Sequence, residues 1–128
     1  MASPRLGYVI LWVEDVERAI RFYTETLGFA PKARHGDYVE IDTGATVLGL
    51  VSRAFVKDGL HLDVPPGAPR GAEIAVVVER EDVEPLYRRA VTGGATAVQQ
   101  PHEQPWGQVV SYVRDPDGHL VEICSPVG

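Results

Sequence analysis

The chain has little of what disulfide-stabilised or membrane-spanning proteins need. Cys124 is its single cysteine among 128 residues, so no intrachain disulfide can form and we expect the cytoplasm as its location. Its longest apolar runs are YVILWV at residues 8–13 and AVVV at residues 75–78, far short of the roughly 20 residues of a transmembrane helix. The N-terminal MASPRLG also lacks the apolar centre of a secretory signal. We therefore expect no membrane partner.

Basic residues are in the minority, with 12 Lys and Arg against 18 Asp and Glu and a net charge of -6. They are scattered and form no basic stripe, so we expect no nucleic acid partner. The hydrophobic fraction of 45% is typical of a globular protein. A chain of this length suits a single domain spanning residues 1–128.

What the chain does contain is one pattern twice. YVILWVEDVERAIRFYTETLGFAP from Tyr8 and EIAVVVEREDVEPLYRRAVTGGATAV from Glu73 each show a strand-like run, the letters DVE, helical periodicity and glycine. Asp15 and Asp82 are predicted helix N-caps. Further strand-like segments follow each helix: DYVEID, TVLGLV, QVVSYVR and HLVEIC, the last pair joined by the turn DPDG.

This order predicts an α+β fold of two βαβββ modules. The first module covers about residues 6–52 and the second about 72–126, with a Pro- and Gly-rich connector at about 53–71. Such internal symmetry predicts two modules related by a pseudo-twofold axis, with curled mixed sheets enclosing a cavity, because one small sheet cannot cover both of its faces.

The doubled pattern, VEDVERAIRFYTETLGF and VRDPDGHLVEIC resemble the vicinal oxygen chelate superfamily over residues 6–126. That superfamily includes glyoxalase I, extradiol dioxygenases, fosfomycin-resistance enzymes and bleomycin-resistance proteins. The resemblance implies a metal held by the first and last strand of each module. Those positions here are Tyr8, Gly49 (or Leu48 if the register shifts), Glu73 and Glu122.

This ligand set departs from the superfamily pattern. Tyr8 is a poor ligand for zinc or nickel, and Gly49 brings no side chain, so only Glu73 and Glu122 could coordinate. Two carboxylates suit a hard cation better than zinc, and a stable site normally needs more protein ligands. We therefore expect no cofactor, the alternative being one divalent metal ion on the two glutamates.

The histidines do not complete this set. His119 follows the DPDG turn with opposite strand parity to Glu122, so we expect it to face away from that residue. His35, His61 and His102 lie in predicted loops.

Without a metal, Glu73 and Glu122 become two acids in one module. If both face inward, the pKa of one should rise, which would suit a tentative catalytic acid/base pair or a hydrogen-bond donor to a ligand. The structural alternative is that one carboxylate is paired with an arginine, such as Arg5 or Arg114, or opens to bulk water.

Three aromatic residues are candidate ligand-binding residues beside these acids. Tyr8 and Trp12 share one face of the first strand. Trp106 lies on the loop HEQPWGQ, whose Pro-Trp-Gly resembles the bleomycin-resistance branch of the superfamily. Its indole could stack on a ligand or could cover the open end of the sheet as a structural residue. Cys124 has the parity of Glu122, but nearby carboxylates disfavour a thiolate, so we interpret it as a small buried filler.

The leading functional interpretation is a small-molecule-binding protein, without metal, that holds an aromatic or apolar compound in a cleft. The alternative is a metal-dependent lyase, dioxygenase or epimerase of the glyoxalase type that uses Glu73 and Glu122 as ligands. Metal-free acid–base catalysis by the same pair is a third possibility. The resemblance also implies a homodimer, in which a second chain completes the cavity.

Overall fold

The computed structural model describes residues 3–127 and divides the chain into two compact units. The first ends at Pro66 and the second begins at Gly67, inside the predicted connector. Each unit contains one four-stranded mixed sheet with helices packed against it, so the predicted α+β class and the two-module pattern are confirmed.

The first unit follows the predicted βαβββ order, with one additional helix. Its elements are β1 (Tyr8–Val13), α1 (Val16–Arg21), a π-helix (Phe22–Thr26), β2 (Ala30–His35), β3 (Tyr38–Asp42), β4 (Val47–Ser52) and α2 (Arg53–Asp58).

Helix α1 begins at a side-chain cap, because Asp15 Oδ1 accepts from the backbone N–H of Arg18 at 3.2 Å. The helix continues as a π-helix, in which the Leu27 N–H donates to the Phe22 carbonyl five residues earlier. This widened turn still buries Phe22 and Tyr23 against the sheet. Periodicity alone predicts one uninterrupted helix here.

Helix α2 corrects the predicted connector, which was placed at residues 53–71. The Ser52 hydroxyl caps this helix by accepting from the Phe55 N–H at 3.1 Å, and Val56 is fully buried. The helix is short and contributes one buried side chain, so its sequence shows too little periodicity to predict it.

The second unit repeats the order. Its elements are β5 (Glu73–Val77), a 3₁₀ turn (Arg80–Asp82), α3 (Val83–Thr92), β6 (Thr96–Glu103), β7 (Val109–Arg114) and β8 (Leu120–Cys124). Asp82 makes no side-chain cap to α3, so that part of the N-cap prediction is wrong. The 3₁₀ turn brings Asp82 into αR geometry, whereas a capping residue is extended.

Both sheets share one topology, with strand orders β1-β4-β3-β2 and β5-β8-β7-β6. In each, the two central strands pair antiparallel, and the first strand of the unit adds parallel to the last. Alternate residues of these strands form a core beneath the helices. The most buried members include Val13, Ile41, Leu50, Val113, Val121 and Ile123.

The DPDG turn sets the register of β7 and β8. Asp115 Oδ1 accepts from the backbone N–H groups of Asp117 at 2.9 Å and His119 at 2.8 Å. Gly118 has a φ of 92°, which favours glycine. The resulting hairpin places Tyr112 directly opposite Glu122.

The outer strands β2 and β6 are irregular. A register shift interrupts β2 between Pro31 and Ala33, and two more interrupt β6, one on either side of Gln99. Within residues 3–127, no helix has the length and apolar character needed to cross a membrane.

Candidate functional site

Glu122 lies in the middle of β8, between the buried residues Val121 and Ile123. Because side chains alternate along a strand, Glu122 points to the sheet face opposite to theirs. We call this surface the second open face. Its residues on the three strands β5, β8 and β7 are Glu73, Ala75, Val77, Leu120, Glu122, Cys124, Val110, Tyr112 and Arg114.

The second open face brings the two predicted acids together. The half-buried carboxyl of Glu122 shares this face with Glu73, Tyr112 and Cys124, and all three affect its pKa. Burial raises the pKa of Glu122, and the hydrogen bond and negative charge of Glu73 raise it further. The Tyr112 and Cys124 contacts oppose this shift because they stabilise the carboxylate.

The neighbouring groups respond to the same charge. Burial first, and then the charge of Glu122, raises the pKa of Tyr112. The same two causes raise the pKa of Cys124 to about 11. The buried Cys124 is therefore a thiol at neutral pH and lacks the stabilised thiolate of a nucleophile.

The arginine-paired alternative for Glu122 does not match the observed contacts. Within residues 3–127, Glu122 forms no ion pair. The hydrogen bond formed by the Arg114 side chain runs from Nη1 to the Gly118 carbonyl, at 2.9 Å. The groups that affect the pKa of Glu122 are therefore acidic or neutral: Glu73, Tyr112 and Cys124.

Trp106 lies between β6 and β7 and is 58% exposed. Its indole Nε1–H donates to Gln108 Oε1 at 2.9 Å, and the buried Gln108 amide donates to the Ser125 carbonyl at 2.8 Å. Gln108 therefore links the Trp106 indole to Ser125, the residue that follows β8.

An open cavity of about 520 Å³ lies beside Glu73. Its volume is within the range of small-molecule sites. The lining residues combine charge of both signs with an apolar strand end: Arg70, Gly71, Ala72, Glu73, Arg114 and Leu120.

The candidates on β1 belong to the first unit. Tyr8 is 56% exposed. Trp12, four residues further along the same strand, is half-buried. Gly49 pairs with Ile10 on one side and Glu40 on the other. The Tyr38 ring covers it, because a Cβ added to Gly49 would lie only 2.8 Å from Tyr38 Cε1.

Two histidine predictions need correction. His35 ends β2, and His102 lies within β6, so neither is in a loop. Register shifts in these outer strands permit the prolines and polar residues that suggested loops. His119 precedes β8, and its Nδ1 is 3.0 Å from the buried Asp115 carboxylate. His61 lies outside regular structure, as expected.

These residues do not fit a bound transition metal. Within residues 3–127, no group of three His, Cys, Asp or Glu side chains is arranged to hold one. The Tyr38 ring occupies the space that a ligand side chain at position 49 would need. His119 is engaged by Asp115. The donor set therefore remains two adjacent carboxyls.

Sequence reasoning missed Tyr112, Gln108, Tyr38 and Glu40. Tyr112 had a usable signal, because a hairpin centred on the DPDG turn pairs it with Glu122. The sequence contains no signal for Gln108 or Tyr38, because their contacts depend on the side-chain rotamer. The functional assignments of Tyr8, Trp12, Glu73, Trp106 and Glu122 remain predictions.

Comparison with known proteins gives one consistent family. The sequence pattern of the Glyoxalase/Bleomycin resistance protein/Dioxygenase superfamily matches residues 5–123. The chain is 30% identical to Glutathione transferase FosA of Serratia marcescens, over 92% of this chain and 78% of that protein. It is 27% identical to Virulence protein STM3117 of Salmonella typhimurium, over 99% of this chain and 88% of that protein.

The solved structures agree in fold. A glyoxalase-related enzyme from Fulvimarina pelagi superposes with a TM-score of 0.85 at 28% identity, covering 95% of this chain and 88% of that one. TioX from Micromonospora sp. ML1 superposes with a TM-score of 0.73 at 24% identity, covering 95% and 98% of the two chains. The second likeness concerns the fold alone.

Proposed function

Because the chain belongs to the Glyoxalase/Bleomycin resistance protein/Dioxygenase superfamily, we propose that it is a small-molecule-binding protein that works without a metal. The ligand is an aromatic or apolar compound with at least one polar atom. The binding residues in the second unit are Glu73, Trp106 and Glu122, and those in the first unit are Tyr8 and Trp12, each set on its own sheet.

The observation that carries this proposal is the placement of Glu122, Glu73 and Tyr112 on the second open face, where Glu73 helps to raise the pKa of Glu122. A carboxyl with a raised pKa can donate a hydrogen bond to a ligand oxygen or nitrogen, which an ionised carboxylate cannot do. The exposed indole of Trp106 offers a surface for stacking. The cavity of about 520 Å³ beside Glu73, at the other end of β7 from Trp106, provides room for an organic molecule.

Catalysis by the same residues is the alternative. The adjacency of two carboxyls favours it, since a carboxyl with a raised pKa can act as a general acid or base. Similarity to a protein named a glutathione transferase also favours an enzyme. The metal-dependent form, a lyase, dioxygenase or epimerase on Glu73 and Glu122, requires ligands beyond these two carboxyls.

We further propose a homodimer. Exposed apolar side chains on the open faces, such as Ile10 and Val77, support an interface with a second chain. Sedimentation at micromolar protein concentration should give a mass near twice 14.0 kDa. A monomer throughout the concentration series would refute this.

A ligand screen by protein-detected NMR tests the binding function. A library of aromatic compounds is added to the wild type, Glu122→Gln and Trp106→Ala. Compounds that bind the site should shift the amide signals of Tyr112 and Glu122 and should bind each variant more weakly. Glu79→Gln is the matched control, because Glu79 is exposed in the same unit and carries the same charge.

Two results would contradict the proposal. One is a set of binders whose affinity is unchanged in both Glu122→Gln and Trp106→Ala. The other is binding that appears only after a divalent metal is added, which would favour the metal-dependent enzyme.

A further inference from the structure

The first unit has an open face of its own, opposite the helix side of its sheet. We call it the first open face; it carries Tyr8, Ile10, Trp12, Tyr38, Glu40, Gly49 and Val51. The Tyr38 ring and the Ile10 side chain meet above Gly49 at its centre. The Tyr38 hydroxyl contacts Glu40, and Tyr8, two residues before Ile10 on β1, is close enough to Tyr38 to affect its pKa.

Gly49 allows this convergence. The Tyr38 ring leaves β3 next to Glu40 and crosses the space above Gly49, with Cε1 2.8 Å and the hydroxyl oxygen 3.1 Å from where a Cβ would lie. The Tyr38 hydroxyl then donates to Glu40 Oε2 at 3.0 Å. On its other side, the Tyr38 ring stacks against His35 with ring centroids 6.4 Å apart. The ring is therefore held from two directions.

The phenol of Tyr38 is a fixed donor. Burial and the hydrogen bond to Glu40 raise the pKa of Tyr38 to about 12, and the charge of Glu40 and nearby Tyr8 contribute. Its proton therefore stays on the oxygen at physiological pH and continues to point at Glu40.

Glu40 lacks a cationic partner. Within residues 3–127 it forms no ion pair, and its other oxygen, Oε1, receives no hydrogen bond. Arg34, on the adjacent strand, instead pairs with Glu17 of α1 at 2.5 Å. The backbone of Arg34 pairs with Val39 of β3, whose side chain is buried on the helix side of the sheet. The half-buried carboxylate is therefore available to a positive charge from outside the chain.

We propose that Tyr8, Tyr38 and Glu40 form a subsite for an organic ammonium group on the first open face. The carboxylate supplies the opposite charge, and the exposed ring of Tyr8 supplies a face that attracts a cation. The exposed Ile10 beside them suits the apolar part of the same molecule. This inference rests on the proposed small-molecule function and extends it to the first unit, because it names an organic cation as the class of ligand for the first open face.

An ammonium group fits these residues better than a metal ion. Calcium needs six to eight oxygen ligands, and magnesium a near-octahedral shell. This cluster supplies one carboxylate and two phenols, of which Tyr38 remains protonated. An alkylated ammonium is weakly hydrated and gains from aromatic faces, which a hydrated metal ion does not.

The test uses benzyltrimethylammonium as the cationic probe and benzyl alcohol as its neutral counterpart. Each is titrated into the wild-type protein at low ionic strength and about pH 8. The readout is the set of backbone amide shifts at Ile10, Glu40 and Gly49. The cation should shift these signals in a saturable way, and benzyl alcohol should bind roughly fivefold more weakly or worse.

Two matched variants separate a local site from general attraction to an acidic protein. Glu40→Gln keeps the shape and should weaken the cation roughly fivefold or more. Asp58→Asn removes the same charge from exposed helix α2 of the same unit and should leave affinity within about twofold. Tyr38→Phe keeps the ring over Gly49 and should weaken binding less than Glu40→Gln does.

Three results would overturn the inference. They are equal loss of affinity in Glu40→Gln and Asp58→Asn, equal binding of the alcohol and the cation, and displacement of the cation by low concentrations of magnesium or calcium. Amide spectra of Glu40→Gln that overlay the wild type away from the site show that the fold is intact.

These signals belong to the first unit, whereas the screen for the proposed function reads Tyr112 and Glu122 in the second. Loss of the cation effect with intact aromatic binding therefore refutes only the ammonium subsite. Loss of aromatic binding at the second open face refutes the proposed function itself.

Discussion

Gln108→Leu tests the best-defined polar connection in the second unit. Gln108 is buried and joins two groups: its Oε1 accepts from the Trp106 indole at 2.9 Å, and its Nε2 donates to the Ser125 carbonyl at 2.8 Å. Leucine has a similar size but forms neither bond. The substitution therefore removes both contacts with little change in packing volume.

The two lost bonds differ in cost. Trp106 is mostly exposed, so water can replace the acceptor of its indole at almost no cost. Ser125 is only 4% exposed, so its carbonyl loses its donor in a buried place, at about 1–3 kcal/mol. The apolar leucine recovers part of this by burial. We expect a net loss of about 1–2 kcal/mol in the free energy of unfolding.

Urea unfolding at pH 7 measures this loss, with Gln100→Leu as the control. Gln100 is exposed on β6, and its side chain makes no hydrogen bond within residues 3–127. A Trp12→Phe background leaves Trp106 as the sole tryptophan, and acrylamide should quench its fluorescence more strongly once Gln108 is replaced. Unchanged stability together with unchanged quenching would show that Gln108 does not hold the indole in place.

Three further predictions concern the second open face. Glu122→Gln should be neutral or mildly stabilising at pH 7. Because the pKa of Glu122 is raised in the folded state, the wild-type protein is most stable below the unfolded-state pKa and loses stability as pH rises through the folded-state pKa, and the variant should lose this dependence. A clear loss of stability in urea at pH 7 would instead make Glu122 a structural residue. Cys124 should resist iodoacetamide at about pH 8 in the native protein and react after unfolding, since burial raises its pKa to about 11; rapid native alkylation, followed by mass spectrometry, would contradict this. No stoichiometric transition metal should copurify, given the two-carboxyl donor set; elemental analysis giving near one zinc, nickel, iron or manganese per chain, lost in Glu122→Gln, would overturn it.

Most of the fold can be predicted from short sequence motifs. The repeated DVE letters, the glycines and the DPDG turn marked where helices and turns begin, and strand parity placed Glu122 and Cys124 on one face. These features depend on neighbours in sequence, so they can be read from it. The widening of the first helix at Phe22 and the helix at Arg53–Asp58 depend on tertiary packing, and periodicity could not show them.

The candidate site was less predictable. Parity suggested that Glu73 and Glu122 could meet, because both lie on strands of one module. It could not show that the Tyr38 side chain crosses over Gly49 to reach Glu40, since that path depends on a rotamer and on an absent Cβ. The hydrogen bonds from Trp106 to Gln108 and from Gln108 to Ser125 also join residues whose contact is set by loop geometry.

The register shifts of β2 and β6 bear on aggregation. A regular outer strand presents a row of free N–H and C=O groups that can recruit a strand from another molecule. Here Pro31 in β2 and Pro101 in β6 lack an N–H, and the shifts near them break the even spacing that such recruitment needs. These two edges are therefore poor templates for fibril growth. A dimer of this chain should use side-chain packing there rather than a continuous intermolecular sheet.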